Sequence, residues 1–358
     1  MLSDFLSALK FDTIGSFAAP EGTSPDIIVK AQIASGLRIL TDGHIHRKEW
    51  DNSFFKGLAG LKETVIESGH IYQECPAMTT LLRLTGRIAA DDMNPAKEEF
   101  KALRDITPEG HIIKQTMPAP SHLLAKMMDD NAWKSIYNTT EELCLDIAAA
   151  YRKMLSDLYS EGCRFVQFDD CSWEPMMYAG GIKCLLQGGT DIERYISLLI
   201  DINNDSIAGL PCDLTTALYV CRGSYDSPRY RQVDYSLIAP RLFAKSNVDM
   251  FYLDLNVDSA NDYSMLKYMP DGKKVMLGIV SPFDTPDDPS QFIKYNLNEA
   301  SIYCGSLYPG ISFRCGMNNP SSLLPSPETQ WAKVERLNKI VMEIWRQHAT
   351  WQHMQHSL

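Results

Sequence analysis

Two thiols and a carboxylate close three separate apolar runs of this chain: Cys221 ends DLTTALYVC, Asp254 lies in MFYLDL and Cys315 in YPGISFRCG. Thiolates favour a soft tetrahedral zinc ion and lower its charge, and a carboxylate is an acceptable further ligand. The competing reading is packing, because free cysteine is among the most buried residue types. Packing is the role expected for Cys144, Cys163, Cys184, Cys212 and Cys304. A second polar group comes from Ile14-Gly15-Ser16, Thr41-Asp42-Gly43-His44 and Gln167-Phe168-Asp169-Asp170. Paired carboxylates such as Asp169 and Asp170 could orient an ammonium group or keep one of the pair protonated. Neighbouring strand residues point to opposite faces, however, so one functional aspartate is expected rather than two. His44 and His46 could hold a metal, but loop histidines are usually solvated, and that is the reading adopted. His348, His353 and His356 lie in a polar tail without interpretable spacing.

What must position these residues is an alternation of short apolar runs with longer helical stretches, the pattern of a parallel sheet. Eight strands are expected: Phe11 to Phe17, Leu37 to Gly43, HIIKQTMPAP, RFVQFDD, DLTTALYVC, MFYLDL, KKVMLGIVS and YPGISFRCG. Helices are expected from Pro25, over Thr140 to Glu161, Ile192 to Ile207, Leu237 to Lys245 and Phe292 to Tyr303, and from Glu328 to Trp345. In the second of these, Leu143, Ile147, Ala150, Tyr151, Met154 and Leu158 fall on one face. Residues 50–110 carry the charged segment AKEEFKALRD and no clean strand, and read as an insertion of helices with room for a hairpin. The expected fold is a single (β/α)8 TIM barrel over residues 1–358, with a helical insertion after strand two. An open dinucleotide-binding sheet would need a Gly-rich turn after its first strand, and no GxGxxG occurs. In a barrel the site forms at the carboxyl ends of the strands, where the polar groups above fall.

Composition narrows the partners. A formal net charge of -11 with no basic stripe argues against nucleic acid. No apolar run approaches the ~18 residues of a membrane span, and the first residues lack a signal-type core, so a cytoplasmic protein is expected. The 9 cysteines are scattered and odd in number, which favours reduced thiols over a disulfide framework. No CxxC occurs and no histidine lies two to four residues from a cysteine, which excludes a zinc finger.

FDTIGSF, GLRILTDGHIHRKEW, VQFDDCSW, YVCRGSY, FYLDL and FRCG occur in an order and approximate spacing that resembles the catalytic barrel of cobalamin-independent methionine synthase. The likeness is greatest to the short single-barrel members and spans nearly the whole chain. It implies methyl transfer from a methyl-folate or similar donor to homocysteine or a related small thiol, with zinc holding the thiolate. The second, N-terminal barrel of the full-length enzymes has no room in 358 residues. Carried over by position, the zinc ligands are Tyr219, Cys221, Asp254 and Cys315, with Cys221, Cys315 and Asp169 as the catalytic group. The substrate residues are Ile14, Gly15 and Ser16 for the carboxylate, Asp169 for the ammonium group, and His44 where the family has a second carboxylate. Tyr219 replaces a histidine ligand and Asp254 a glutamate, and a phenol of pKa near 10 is a poor zinc ligand. Two other readings stay open. One is a metal-free barrel like uroporphyrinogen decarboxylase, for which Arg222 and Arg314 supply some cationic capacity. The other is a degenerate homologue that binds a small molecule without catalysis.

Overall fold

The computed structural model describes residues 9–47, 50–67, 78–129, 132–223, 234–255, 263–283, 288–304, 309–317 and 326–355. Its centre is a curled sheet of seven parallel strands. β1 (Phe11–Asp12) lies beside β11 (Gly310–Phe313), followed in order by β10 (Lys274–Val280), β9 (Met250–Asp254), β8 (Thr215–Val220), β7 (Phe165–Asp170) and β6 (Gln115–Pro118). The two ends of this sheet approach through a shorter pair. β2 (Ile39–Leu40) runs parallel to β5 (Ile112–Ile113), and only Lys114 separates β5 from β6. A parallel bridge between Ser16 and Gly43 then ties the segment after β1 to the segment after β2.

Alternation along the strands sorts side chains into two apolar groups. Ala217, Tyr219, Met250, Tyr252 and Met276 face the inside of the curl with Phe165. Their neighbours Leu218, Val220, Phe251, Leu253 and Leu277 face outward into the larger core beneath the helices. That outer layer includes α1 (Pro25–Ala34), α3 (Pro95–Ile106), α4 (Pro120–Asp129), α5 (Thr140–Ser160), α7 (Ile192–Ile207), α8 (Ala239–Lys245), α9 (Pro289–Ser301) and α10 (Pro327–Gln355); two shorter helices are α2 (Asn52–Phe55) and α6 (Ala179–Gln187). Polar side chains start several of them by accepting an otherwise orphaned backbone N–H: Asn94 from Lys97 N, Thr139 from Glu142 N and Asp191 from Arg194 N. No described helix is long and apolar enough to cross a membrane.

Three expectations are corrected. The insertion is not mainly helical: β3 (Leu58–Glu67) and β4 (Met78–Ala90) form a long antiparallel ribbon, with Leu58 opposite Ala90 and Glu67 opposite Met78. It packs on α5 through buried Leu82, Leu84 and Ile88, and Arg87 adds two hydrogen bonds to Asp146 at 2.9 and 3.1 Å. The first two strands are far shorter than their apolar runs, because the chain turns at Gly15 (φ 126°) and Gly43 (φ 74°). Cys184 and Cys212 are exposed rather than packed, one on α6 and the other in the turn before β8.

The paired aspartates divide as alternation requires. Asp170 faces outward, fully buried, and its carboxylate accepts hydrogen bonds from Ser121 Oγ (2.5 Å), Trp173 Nε1 (2.6 Å), Ser172 Oγ (2.6 Å) and Ser172 N (3.0 Å). Asn203 Nδ2 of α7 adds a fifth at 3.4 Å. One carboxylate thus joins the end of β7 to α4, α7 and the loop after the strand. Asp170→Ala leaves these buried donors without an acceptor and is expected to cost about 3 kcal/mol. Urea unfolding followed by tryptophan fluorescence measures it, and a loss under about 1 kcal/mol contradicts the assignment.

Candidate active site at the strand ends

The inward-facing member of the aspartate pair organises one side of the site. Gln167 and Asp169 share the inner face of β7, and the Gln167 amide donates both to Ile14 O at 2.8 Å and to Asp169 Oδ1 at 2.7 Å. The carboxylate is thereby held beside the turn Ile14-Gly15-Ser16. Only glycine suits that turn: at φ 126° a Cβ on Gly15 would also stand 3.1 Å from methyl groups of both Thr41 and Thr116. Thr41 Oγ1 donates to Gly15 O at 2.5 Å, and Met317 N donates to Ser16 O at 3.0 Å, which lays the segment after Cys315 along Ser16. Ile14, Gly15, Ser16 and Asp169 therefore meet at one rim. Burial pushes the Asp169 carboxyl up to about 6, against the opposing pull of the Gln167 amide, Arg47 and Lys114.

His44 is not the solvated loop histidine expected from the sequence but is buried in the wall behind this turn. It adopts a left-handed φ of 56°, and its Nε2 meets Thr116 Oγ1 and, at 3.2 Å, Arg47 Nη1. Burial and the adjacent Arg47 cation push its pKa down to about 3, so the ring stays neutral at ordinary pH. Arg47 is itself buried and donates twice to Glu99 of α3, at 3.1 and 2.6 Å, and once to Thr116 O at 2.9 Å. Burial pushes the Glu99 carboxyl up despite that partner. The Arg47–Glu99 pair was not legible in the sequence. Its signal was weak: an arginine three residues past His44 and a glutamate inside a charged helical segment.

The thiol side is built differently from the zinc site that the resemblance implies. Cys221 is half-buried, and its Sγ receives Gly223 N–H at 3.4 Å. Cys315 is buried, and burial together with nearby Asp254 raises its thiol pKa. Asp254, fully buried, is already engaged by two guanidinium groups, Arg222 Nε at 3.1 Å and Arg314 Nε at 3.4 Å. Tyr219 spends its hydroxyl on Arg314 O at 2.9 Å. Two of the four expected ligands thus have other partners, and two cations stand where a dication would have to be balanced. Among the described residues no group of three or more His, Cys, Asp or Glu side chains could hold a metal ion. The donor set does not fit zinc.

No family model matches the chain. An uncharacterized Bacillus subtilis protein, YxjH, is 27% identical over 325 residues, 89% of this chain and 84% of the relative. A methionine synthase of Sulfolobus acidocaldarius is 21% identical over 201 residues, 55% of this chain and 50% of that one. Among solved structures, a B12-independent methionine synthase from a Shewanella species, in complex with selenomethionine, superposes with a TM-score of 0.71 at 20% identity, over 96% of this chain and 99% of that chain. The fold is that of the B12-independent methionine synthases. A Listeria monocytogenes protein provisionally named a vitamin-B12-independent methionine synthase gives 0.72 at 24% identity, over 93% and 97% of the two chains. The resemblance read from the motifs therefore holds along nearly the full chain.

Two outcomes are expected from this geometry. Protein purified without added metal or chelator should carry well under one zinc per chain by elemental analysis; near-stoichiometric zinc that disappears in Cys221→Ser would overturn the reading of the donor set. His44 supplies a pH test. Its folded pKa lies below the unfolded value of about 6.5, so between about pH 3 and 6.5 the unfolded chain binds the extra proton. The contribution of His44 to stability should fall as pH drops through that window, against the opposite contribution of the raised Asp169 carboxyl, and His44→Gln should remove the His44 part of the slope. An unchanged slope in the variant counts against a buried neutral imidazole.

Proposed function

We propose that the protein is a methyltransferase of the B12-independent methionine synthase kind, working as a (β/α)8 barrel on a small thiol amino acid, homocysteine or a relative. The donor class is a methyl-folate or similar tertiary amine. The observation that carries this reading is the bond pair through Gln167, which sets the Asp169 carboxylate beside the Ile14-Gly15-Ser16 turn. An α-amino acid presents an ammonium and a carboxylate on one carbon, and this rim offers an acceptor for the first beside backbone and hydroxyl donors for the second. The fold it shares with a selenomethionine-binding neighbour supports the same ligand class.

In this mechanism Asp169 takes the ammonium group, and Ser16 with the backbone of the turn takes the carboxylate. That leaves the side chain directed to the Cys221 and Cys315 side of the rim. Holding the acceptor by both ends of its amino-acid moiety fixes the orientation of its thiol, a contribution such a site can make without covalent chemistry. Because the donor set does not suit zinc, no step is routed through a metal. His44 and Arg47 act on substrate only through the wall they form with Thr116.

Titration calorimetry with L-homocysteine and L-methionine tests the binding half, and transfer from methyl-tetrahydrofolate tests the chemistry. Asp169→Asn keeps the shape and removes the charge; it should weaken amino-acid binding 10–100-fold, the size of a buried charge-assisted hydrogen bond of roughly 1.5–3 kcal/mol. Binding of either amino acid that is indifferent to Asp169→Asn would sink the proposal.

A further inference from the structure

Cys171 was not singled out by its sequence position, yet the strand geometry gives it a partner. On β7 the inward series Phe165, Gln167, Asp169 continues at Cys171, and on β8 the series Ala217, Tyr219 continues at Cys221. The two strands are paired with Asp170 opposite Val220, and Cys221 N donates to Asp170 O at 2.9 Å, which carries the ladder one residue further. The cysteines are therefore next-door neighbours on the same face of adjacent strands. Both cysteines are half-buried at the rim, and both are free thiols. Adjacent strands run about 4.8 Å apart, inside the Cα separation of about 4.4–6.8 Å that a disulfide spans.

We propose that Cys171 and Cys221 form a reversible cross-strand disulfide, a thiol modification site that a hydroperoxide oxidises and a low-molecular-weight dithiol restores. Cys221 is the attacking sulfur, since it accepts from the Gly223 N–H, and Cys171 is the resolving one. The Cys221 thiolate attacks the terminal peroxide oxygen; the O–O bond breaks, leaving a sulfenic acid and, after proton uptake, water or an alcohol. The Cys171 sulfur then attacks Cys221 Sγ, the S–S bond forms as the S–O bond breaks, and the departing hydroxide leaves as water with the Cys171 proton. Two thiols are oxidised by two electrons and one peroxide is reduced by two.

The bridge would pin the ends of β7 and β8 two residues beyond Asp169 and withdraw Cys221 from the rim. This effect on ligand binding rests on the function proposed above, whereas the disulfide itself does not. The test is treatment of the purified full-length protein with hydrogen peroxide, followed by peptide mapping under non-reducing conditions. The expected result is one cross-linked peptide joining residues 171 and 221, lighter by two hydrogens and released by dithiothreitol. In Cys171→Ser the cross-link should be absent and Cys221 should pass to sulfinic acid several-fold faster than in the wild type. Independent sulfinic acids at both positions without a cross-link, or equal oxidation of Cys221 in wild type and Cys171→Ser, would overturn the proposal. A disulfide that forms in protein with no affinity for amino acids would leave this inference standing and remove the proposed function.

Discussion

The strand ends depend on a charge pair buried inside the curl of the sheet. Lys114, between β5 and β6, donates to Asp12 Oδ2 at 2.7 Å and to Thr13 O at 2.5 Å, and Tyr252 OH of β9 donates to the same carboxylate oxygen at 2.6 Å. Lys114 and Asp12 are essentially without solvent, and the ammonium also lies 4.6 Å from the centre of the Tyr252 ring. Charges so placed are costly unless paired and fully hydrogen-bonded, and removing one partner strands the other. The arrangement therefore admits one height of β1 against β6 and one position for β9. That height brings Thr116 against Gly15 and sets the turn that ends at Ser16. A hydrophobic core alone would not specify it, because apolar side chains tolerate sliding where a three-way polar contact does not.

Above this layer the rim divides into two electrostatic halves. On one side the Asp169 carboxylate faces the turn after β1 and is backed by a wall in which Glu99 and Asp42 flank Arg47 and His44 is uncharged. On the other side Asp254 is held between Arg222 and Arg314, next to the thiols. The split follows from strand order: the first group is delivered by β1, β2, β6 and β7, the second by β8, β9 and β11. The ligand proposed above, with an ammonium group at one end and sulfur at the other, would place its two ends on the two halves.

How much of this could be read from the chain follows from the range of each interaction. β7, β8, β9 and β10 were legible because each is a run of five to seven buried residues whose alternation is local. The β3–β4 ribbon was legible only as room for a hairpin, because its pairing joins partners distant in the chain and charged residues such as Lys62 and Glu63 on its exposed positions masked the period. The grouping of Ile14, Gly15, Ser16 and Asp169 was legible through the family resemblance, since two motifs far apart in the chain gave no reason by themselves to meet. What the sequence could not disclose was the state of the shared residues. Asp254 reads as a ligand from its place at the end of β9, and only the folded chain shows both arginines on it. Cys171 gave no signal because its meaning lies in the register of β7 against β8.

The raised pKa of Asp169 bears on how such a rim selects its ligand. A carboxyl at about 6 is largely ionised at neutral pH but poorly solvated, with the Gln167 amide donating to it. The unfavourable burial is present before any ligand arrives and is offset when a cation docks against it, so the binding free energy of an ammonium group includes relief of that desolvation. An uncharged amine or an alcohol of the same shape recovers little of it. Arg47 and Lys114, though close enough to favour the ionised form, are already committed to Glu99 and Asp12, so under the proposed function the remaining attraction of the carboxylate is for the ammonium group of the ligand.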